Sequence, residues 1–199
     1  MLSAMKYRGV LVKAAIGAAF LLGIVLGVLM NTNAGHAQAE SQTFVIQAGG
    51  AGIGAAEALV FAPANVNVHR GDTVTWAVNG FHNIRFTDGT FLPIALVPGT
   101  DDVEVPQINP AIAFPTIENG VAFQGGEANA GLPAGVPGGA SDAGGVFSLV
   151  MDVEPGTYNY LCDVHPGMLG FITVVDDATA VDSPADVAVQ AKTEIDVVL

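Results

Sequence analysis

From Thr43 to Val175 the chain is a succession of short extended runs cut by turns, with little helical periodicity, and this pattern limits the fold more than any other feature. Thr43-Phe44-Val45-Ile46 predicts a strand, and Gly49 to Gly54 a flexible loop. Leu59-Val60-Phe61 and Asn65-Val66-Asn67-Val68 are extended and are separated by Pro63. Arg70-Gly71-Asp72 makes a turn before Thr73-Val74-Thr75-Trp76-Ala77-Val78, whose alternation suits a strand with one buried face. His82 to Phe86, Val146 to Val150, Gly156 to Cys162 and Leu169 to Val175 supply further strands. Many short strands with turn signals between them predict an all-β fold, a sandwich or barrel. Half of the 199 residues are apolar (51 %), which leaves ample material for its core.

Two regions depart from the strand pattern. Residues 87–145 hold seven prolines, and nine glycines fall between Gly120 and Gly145. A structureless stretch of that length is uncommon inside a compact domain, so it is expected to be a Gly/Pro-rich insertion lying over the barrel. At the C-terminus, Ser183-Pro184-Ala185-Asp186 has an N-cap, a proline at the first helical position and an acid in the first turn. The tail 178–199 is therefore expected to carry a helix over about 184–196, with Val187, Ala188, Ala191 and Ile195 on one face. It serves either as a peripheral packing helix or as a docking element.

Charge divides the chain. Lys6, Arg8 and Lys13 precede the uncharged run Ala14 to Met30, and Ala37-Gln38-Ala39 follows before the first acid, Glu40. Residues 1–39 are expected to be a secretory signal peptide, or an N-terminal anchor that holds the protein to a membrane through residues 14–30. Either reading places the domain at 40–177 outside the cytoplasm, in the periplasm or on the extracellular face. Beyond residue 39 three cations face nineteen acids, a net −16. Such a surface repels nucleic acid. It is a solvated coat, a docking face for a basic partner, or an adaptation to high salt.

Cys162 is the only cysteine, so an intrachain disulfide is excluded. A buried thiol acting as a small hydrophobe is the plain reading of such a residue. In Tyr160-Leu161-Cys162-Asp163-Val164-His165-Pro166-Gly167-Met168-Leu169, however, a histidine follows three residues later and a methionine six. Thiolate, imidazole and a weak thioether are the ligand types of a blue-copper site. Pro166-Gly167 turns the chain between two strands, so the three donors share one hairpin loop. A second imidazole must come from elsewhere. His36 belongs to the leader and His69 to a turn, whereas His82 heads a strand that can reach the same end. Gly50-Ala51-Gly52-Ile53-Gly54-Ala55 fits a dinucleotide-binding pattern, but Pro63 and the extended run to Val78 occupy the place of the helix that chemistry needs.

Gly71-Asp72-Thr73-Val74-Thr75-Trp76, His82-Asn83-Ile84 and Pro155-Gly156-Thr157-Tyr158-Asn159-Tyr160-Leu161-Cys162, followed by His165 and Met168, resemble the plastocyanin-like cupredoxins over about residues 42–176. The short Cys-His-Met loop is similar to that of amicyanin and pseudoazurin. The resemblance implies a Greek-key β-sandwich with one type 1 copper. By position it makes His82, Cys162 and His165 equatorial ligands and Met168 the axial one. Asn83 would tie the two ligand loops together and help hydrogen-bond the cysteine sulfur. Tyr160 is either a tyrosine-corner contact or plain core. His165 would be the electron port, with Pro166, Leu169 and Phe81 around it.

The implied function is one-electron transfer between redox partner proteins, without catalysis. Oxidase or nitrite reductase chemistry needs further copper held by several more histidines, and His69 is the one imidazole to spare beyond residue 39. The alternative is copper delivery or sensing, against which stands the absence of a methionine- or histidine-rich tract.

Overall fold

The structure is a computed structural model and describes residues 40–54, 56–92, 108–134 and 145–199. The expected leader and the apolar run 14–30 lie outside the described residues, as does much of the Gly/Pro-rich region. Residues Glu40–Leu199 form one compact unit. Among the described residues, no helix is long and apolar enough to cross a membrane.

Among the described residues, ten strands form two five-stranded sheets. The first holds β2 (Glu57–Ala62), β1 (Thr43–Ala51), β4 (Thr73–Val78), β8 (Gly145–Met151) and β6 (Ala122–Phe123), in that order. The second runs β3 (Asn65–His69), β10 (Leu169–Val175), β9 (Gly156–Leu161), β5 (Arg85–Phe86) and β7 (Ala128–Asn129). Successive strands from β2 to β9 alternate between the two sheets, and the parallel pairs β1–β4 and β3–β10 join strands distant in sequence, as Greek-key sandwiches do.

Alternation dictates which residues face inward. Val74, Trp76 and Val78 are buried while Thr73, Thr75 and Ala77 are less so, and β8 buries Phe147, Leu149 and Met151 on the same rule. Opposite them lie Val66, Val68, Ile172 and Val174 from the second sheet. Trp76 is the hub. Its ring packs on Tyr160 at 5.3 Å, Phe147 at 5.7 Å and Phe86 at 5.8 Å between centroids.

Three local expectations change. Gly49 to Ala51 are strand, not loop: β1 continues to Ala51 against β2, with a bulge between Ala48 and Gly50. Gly49 takes φ +83° there, and a Cβ would collide with Asn79 O and His82 Nε2. The predicted strand over 82–86 shrinks to β5. Ahead of it, His82 O and Ile84 O accept from Ala134 N and Ala130 N, at 2.8 and 2.9 Å. Within 87–145 the described part belongs to the sandwich. Its short helix α1 (Pro110–Ala113) is followed by β6 along β8 and β7 along β5, one edge strand for each sheet.

The C-terminal helix α2 (Pro184–Val198) begins as its sequence predicts, with Ser183 Oγ accepting from Asp186 N at 3.2 Å. It packs on β1 and β2 through Val187 and Ala191, with Ala188 outside. This packing against the sheet is the first of its two expected roles.

Candidate metal centre

The ends of the strands bring the candidate residues together. β9 stops at Leu161 and β10 starts at Leu169, so residues 162–168 form the loop joining them. Cys162 N donates to Met168 O and Met168 N to His165 O, each at 3.0 Å, which folds the loop back on itself. Gly167, at φ +99°, makes that reversal without strain. His82 arrives from the segment before β5. It is fully buried, as is Cys162, and Met168 is buried beside Cys162 in the same core; His165 is half-buried.

His82 Nδ1 lies 3.7 Å from Cys162 Sγ, His165 Nδ1 lies 3.8 Å from it, and the two nitrogens are 2.9 Å apart. A triangle with these sides has its centre about 2.0 Å from every corner, close to the length of a metal–imidazole bond and a little under a metal–thiolate bond. Two imidazoles and one soft thiolate around such a point fit copper by donor chemistry as well as by size. His82 Nε2 meets no hydrogen-bond partner and faces Glu57 Oε1 at 3.5 Å. A proton on Nε2 leaves the Nδ1 lone pair aimed into the triangle.

Electrostatics keep the donors ready. Burial, then the neighbouring His165 ring, hold His82 below the ordinary imidazole pKa against the pull of Glu57, so it stays neutral. Burial pushes the Cys162 thiol up, while backbone N–H groups of Asn83, His165 and Val164 act the other way by favouring the thiolate. A metal ion would displace that proton.

Asn83 does what the resemblance implied. Its Oδ1 accepts from Asp163 N at 2.8 Å and its Nδ2 donates to Asp163 Oδ2 at 2.9 Å, pinning the His82 segment to the Cys162 loop. Tyr160 takes the plain-core alternative, with its hydroxyl buried and without a hydrogen-bond partner. The corner-like contact belongs to Tyr158, whose hydroxyl donates to Glu154 O at 2.7 Å. His69 sits at the far end of β3, with Nε2 2.8 Å from Thr179 O.

Sequence reasoning passed over Arg85, Asp163 and Asn129. Arg85 Nε and Nη2 grip the Asp163 carboxylate at 2.8 and 2.7 Å, both residues almost fully buried (5 % and 2 % exposed). Asn129 Oδ1 accepts from Asn83 Nδ2 at 3.1 Å, and its own amide reaches the carbonyls of Ala111, Ile112 and Phe114, each at 3.0 Å. A signal was present for the first two: an arginine inside the apolar run Ile84-Arg85-Phe86, and an acid directly after the lone cysteine.

Three solved structures show where the chain finds likeness. A methionine-to-alanine mutant of amicyanin, in its Cu(I) form, is 19 % identical, with 67 % of this chain and 82 % of that one covered and a TM-score of 0.36. A purple cupredoxin from Nitrosopumilus maritimus is 20 % identical over 66 % of this chain and 99 % of its own, TM-score 0.35. A copper-containing nitrite reductase from Thermus scotoductus SA-01 is 16 % identical over 67 % of this chain but 22 % of its own, TM-score 0.34. The model of the copper binding proteins, plastocyanin/azurin family, matches residues 47–175, a span that takes in His82, Cys162, His165 and Met168. With most of its length matched, the chain belongs to the plastocyanin/azurin family of copper-binding proteins, and copper is its cofactor.

Proposed function

We propose that this type 1 copper protein is an extracytoplasmic one-electron carrier, with His82, Cys162 and His165 as equatorial ligands and Met168 as the axial one. The carrying observation is the triangle of donor atoms, closed on the inside and half-open at one corner. Copper supplies the Cu(I)/Cu(II) couple. The residues supply rigidity: the sulfur is held by backbone amides, and His82 is walled in by the bulge at Gly49. Donors that cannot move serve both oxidation states moderately well, so little rearranges when an electron arrives. His165 is the exit, since His82 is buried whereas His165 is half-buried, and the chain next to the ligands carries exposed apolar side chains, Phe81 (47 %) before His82 and Leu169 (38 %) after Met168.

Partners are other redox proteins, and charge favours those with a basic face. Every cation beyond residue 39 is already paired within the chain: Arg70 with Asp152 and Glu154, Arg85 with Asp163, Lys192 with Asp196. Catalysis by this chain alone is disfavoured because the one spare imidazole, His69, is committed to Thr179 O at the other end of the sandwich.

Electron transfer and copper delivery separate in one experiment. The copper-loaded protein is cycled between oxidised and reduced states in the presence of a Cu(I) chelator. A carrier keeps its copper through repeated cycles, and rapid loss to the chelator would instead support delivery.

A further inference from the structure

Asp163 directly follows Cys162, and its carboxylate is saturated by four donors. Arg85 Nε and Asn83 Nδ2 reach Oδ2 at 2.8 and 2.9 Å, and Arg85 Nη2 and Leu92 N reach Oδ1 at 2.7 and 2.8 Å. Arg85 Nη2 also donates to Thr90 O at 2.6 Å. An ion pair taken out of water repays little of its desolvation, and apolar replacements of the same size are often as stable. Fold stability is therefore a weak reason for this pair to exist. Its placement is informative: Arg85 lies three residues after His82, Asp163 one residue after Cys162, and the bidentate fork joins the two at a fixed angle.

We propose that the buried Arg85–Asp163 pair is a positioning element of the metal centre, which locks the His82 segment to the Cys162 loop and keeps a carboxylate beside the copper without imposing its charge on it. The inference rests on the ligand assignment above. As a closed pair, the two charges largely cancel at the metal. Opened from either side, the pair leaves one unscreened charge in a buried site, of opposite sign in the two cases.

The test is the reduction potential and visible spectrum of the copper-loaded protein and of Asp163→Asn, Arg85→Gln and the double variant, measured at pH 8. Asp163→Asn leaves the guanidinium and favours Cu(I), raising the potential. Arg85→Gln leaves the carboxylate and favours Cu(II), lowering it. Each shift is expected to change the electron-exchange equilibrium at least tenfold, about 59 mV for one electron, and the double variant is expected to return towards the parent. Shifts of the same sign, or none, would overturn the proposal. Should either single variant fail to fold, Arg85→Lys, which keeps the charge and loses the fork, is expected to move the thiolate band with little change in potential. An unmoved band would overturn the positioning role. A parent protein without a thiolate band would overturn the ligand assignment, and this inference with it.

Discussion

His82 and His165 offer the same nitrogen to Cys162 but differ in what surrounds them. His82 is enclosed by the Gly49 bulge, with Glu57 behind it, whereas His165 sits between exposed Pro166 and half-buried Val164. Removing the His165 ring should therefore open a channel to solvent and leave the core alone. His165→Gly is expected to fold, to lose the parent copper spectrum, and to recover a similar one on addition of free imidazole. An unchanged spectrum would remove His165 from the site. At this scale the sequence was most legible where chemistry is rare. A lone cysteine followed by histidine and methionine stands out, and a histidine heading an extended run completes it. Asn129 was not legible, because an asparagine in a Gly-rich stretch looks like any turn residue until Ala111, Ile112 and Phe114 are folded against it.

Strands long enough to alternate were readable, and those that were not are two residues long. β6 and β7 carry no periodicity of their own; each exists because a longer neighbour, β8 or β5, offers an edge to pair with. The Gly49–Ala51 segment misled for the opposite reason: its glycines serve close approach, Gly49 to His82 and Gly50 to Ile195, not mobility. Gly170 is a similar case on β10. A Cβ there would enter the Tyr160 ring, which lies across the strand from its register partner. Tyr160 is fully buried against Trp76 and Phe61 and cannot step aside. Gly170→Ala is thus expected to cost about 1–3 kcal/mol by overpacking, read as a lower urea midpoint with an unchanged slope. A midpoint equal to that of the parent would show that the ring has room to move.

For the molecule as a whole, acid is the condition to which the copper-free state should be most sensitive. Folded His82 has a lowered pKa, so as pH falls through about 6.5 the unfolded chain takes up a proton that the folded one resists, and stability declines. Asp163 behaves in the same direction at lower pH. Burial alone would raise its pKa, but hydrogen bonds from Arg85, Asn83 and Leu92 outweigh it and hold the carboxyl below its ordinary value. Its stabilisation is present above the usual carboxylate range and lost as pH falls through the folded value. Urea unfolding of the copper-free protein should show stability that is level between about pH 7 and 8, short of the range in which an unfolded cysteine loses the proton that buried Cys162 keeps, and that falls in two stages below pH 7. Stability that rises between pH 7 and 5 would contradict this account of His82.

The central claim is that Cys162 binds copper in a site built to pass one electron. The most direct test is the visible absorption of the copper(II)-loaded protein, before and after ascorbate. The account predicts an intense thiolate-to-copper band that bleaches on reduction and returns on reoxidation. A weak band, or none, would mean that Cys162 is not a copper ligand and that the triangle of donors serves another purpose.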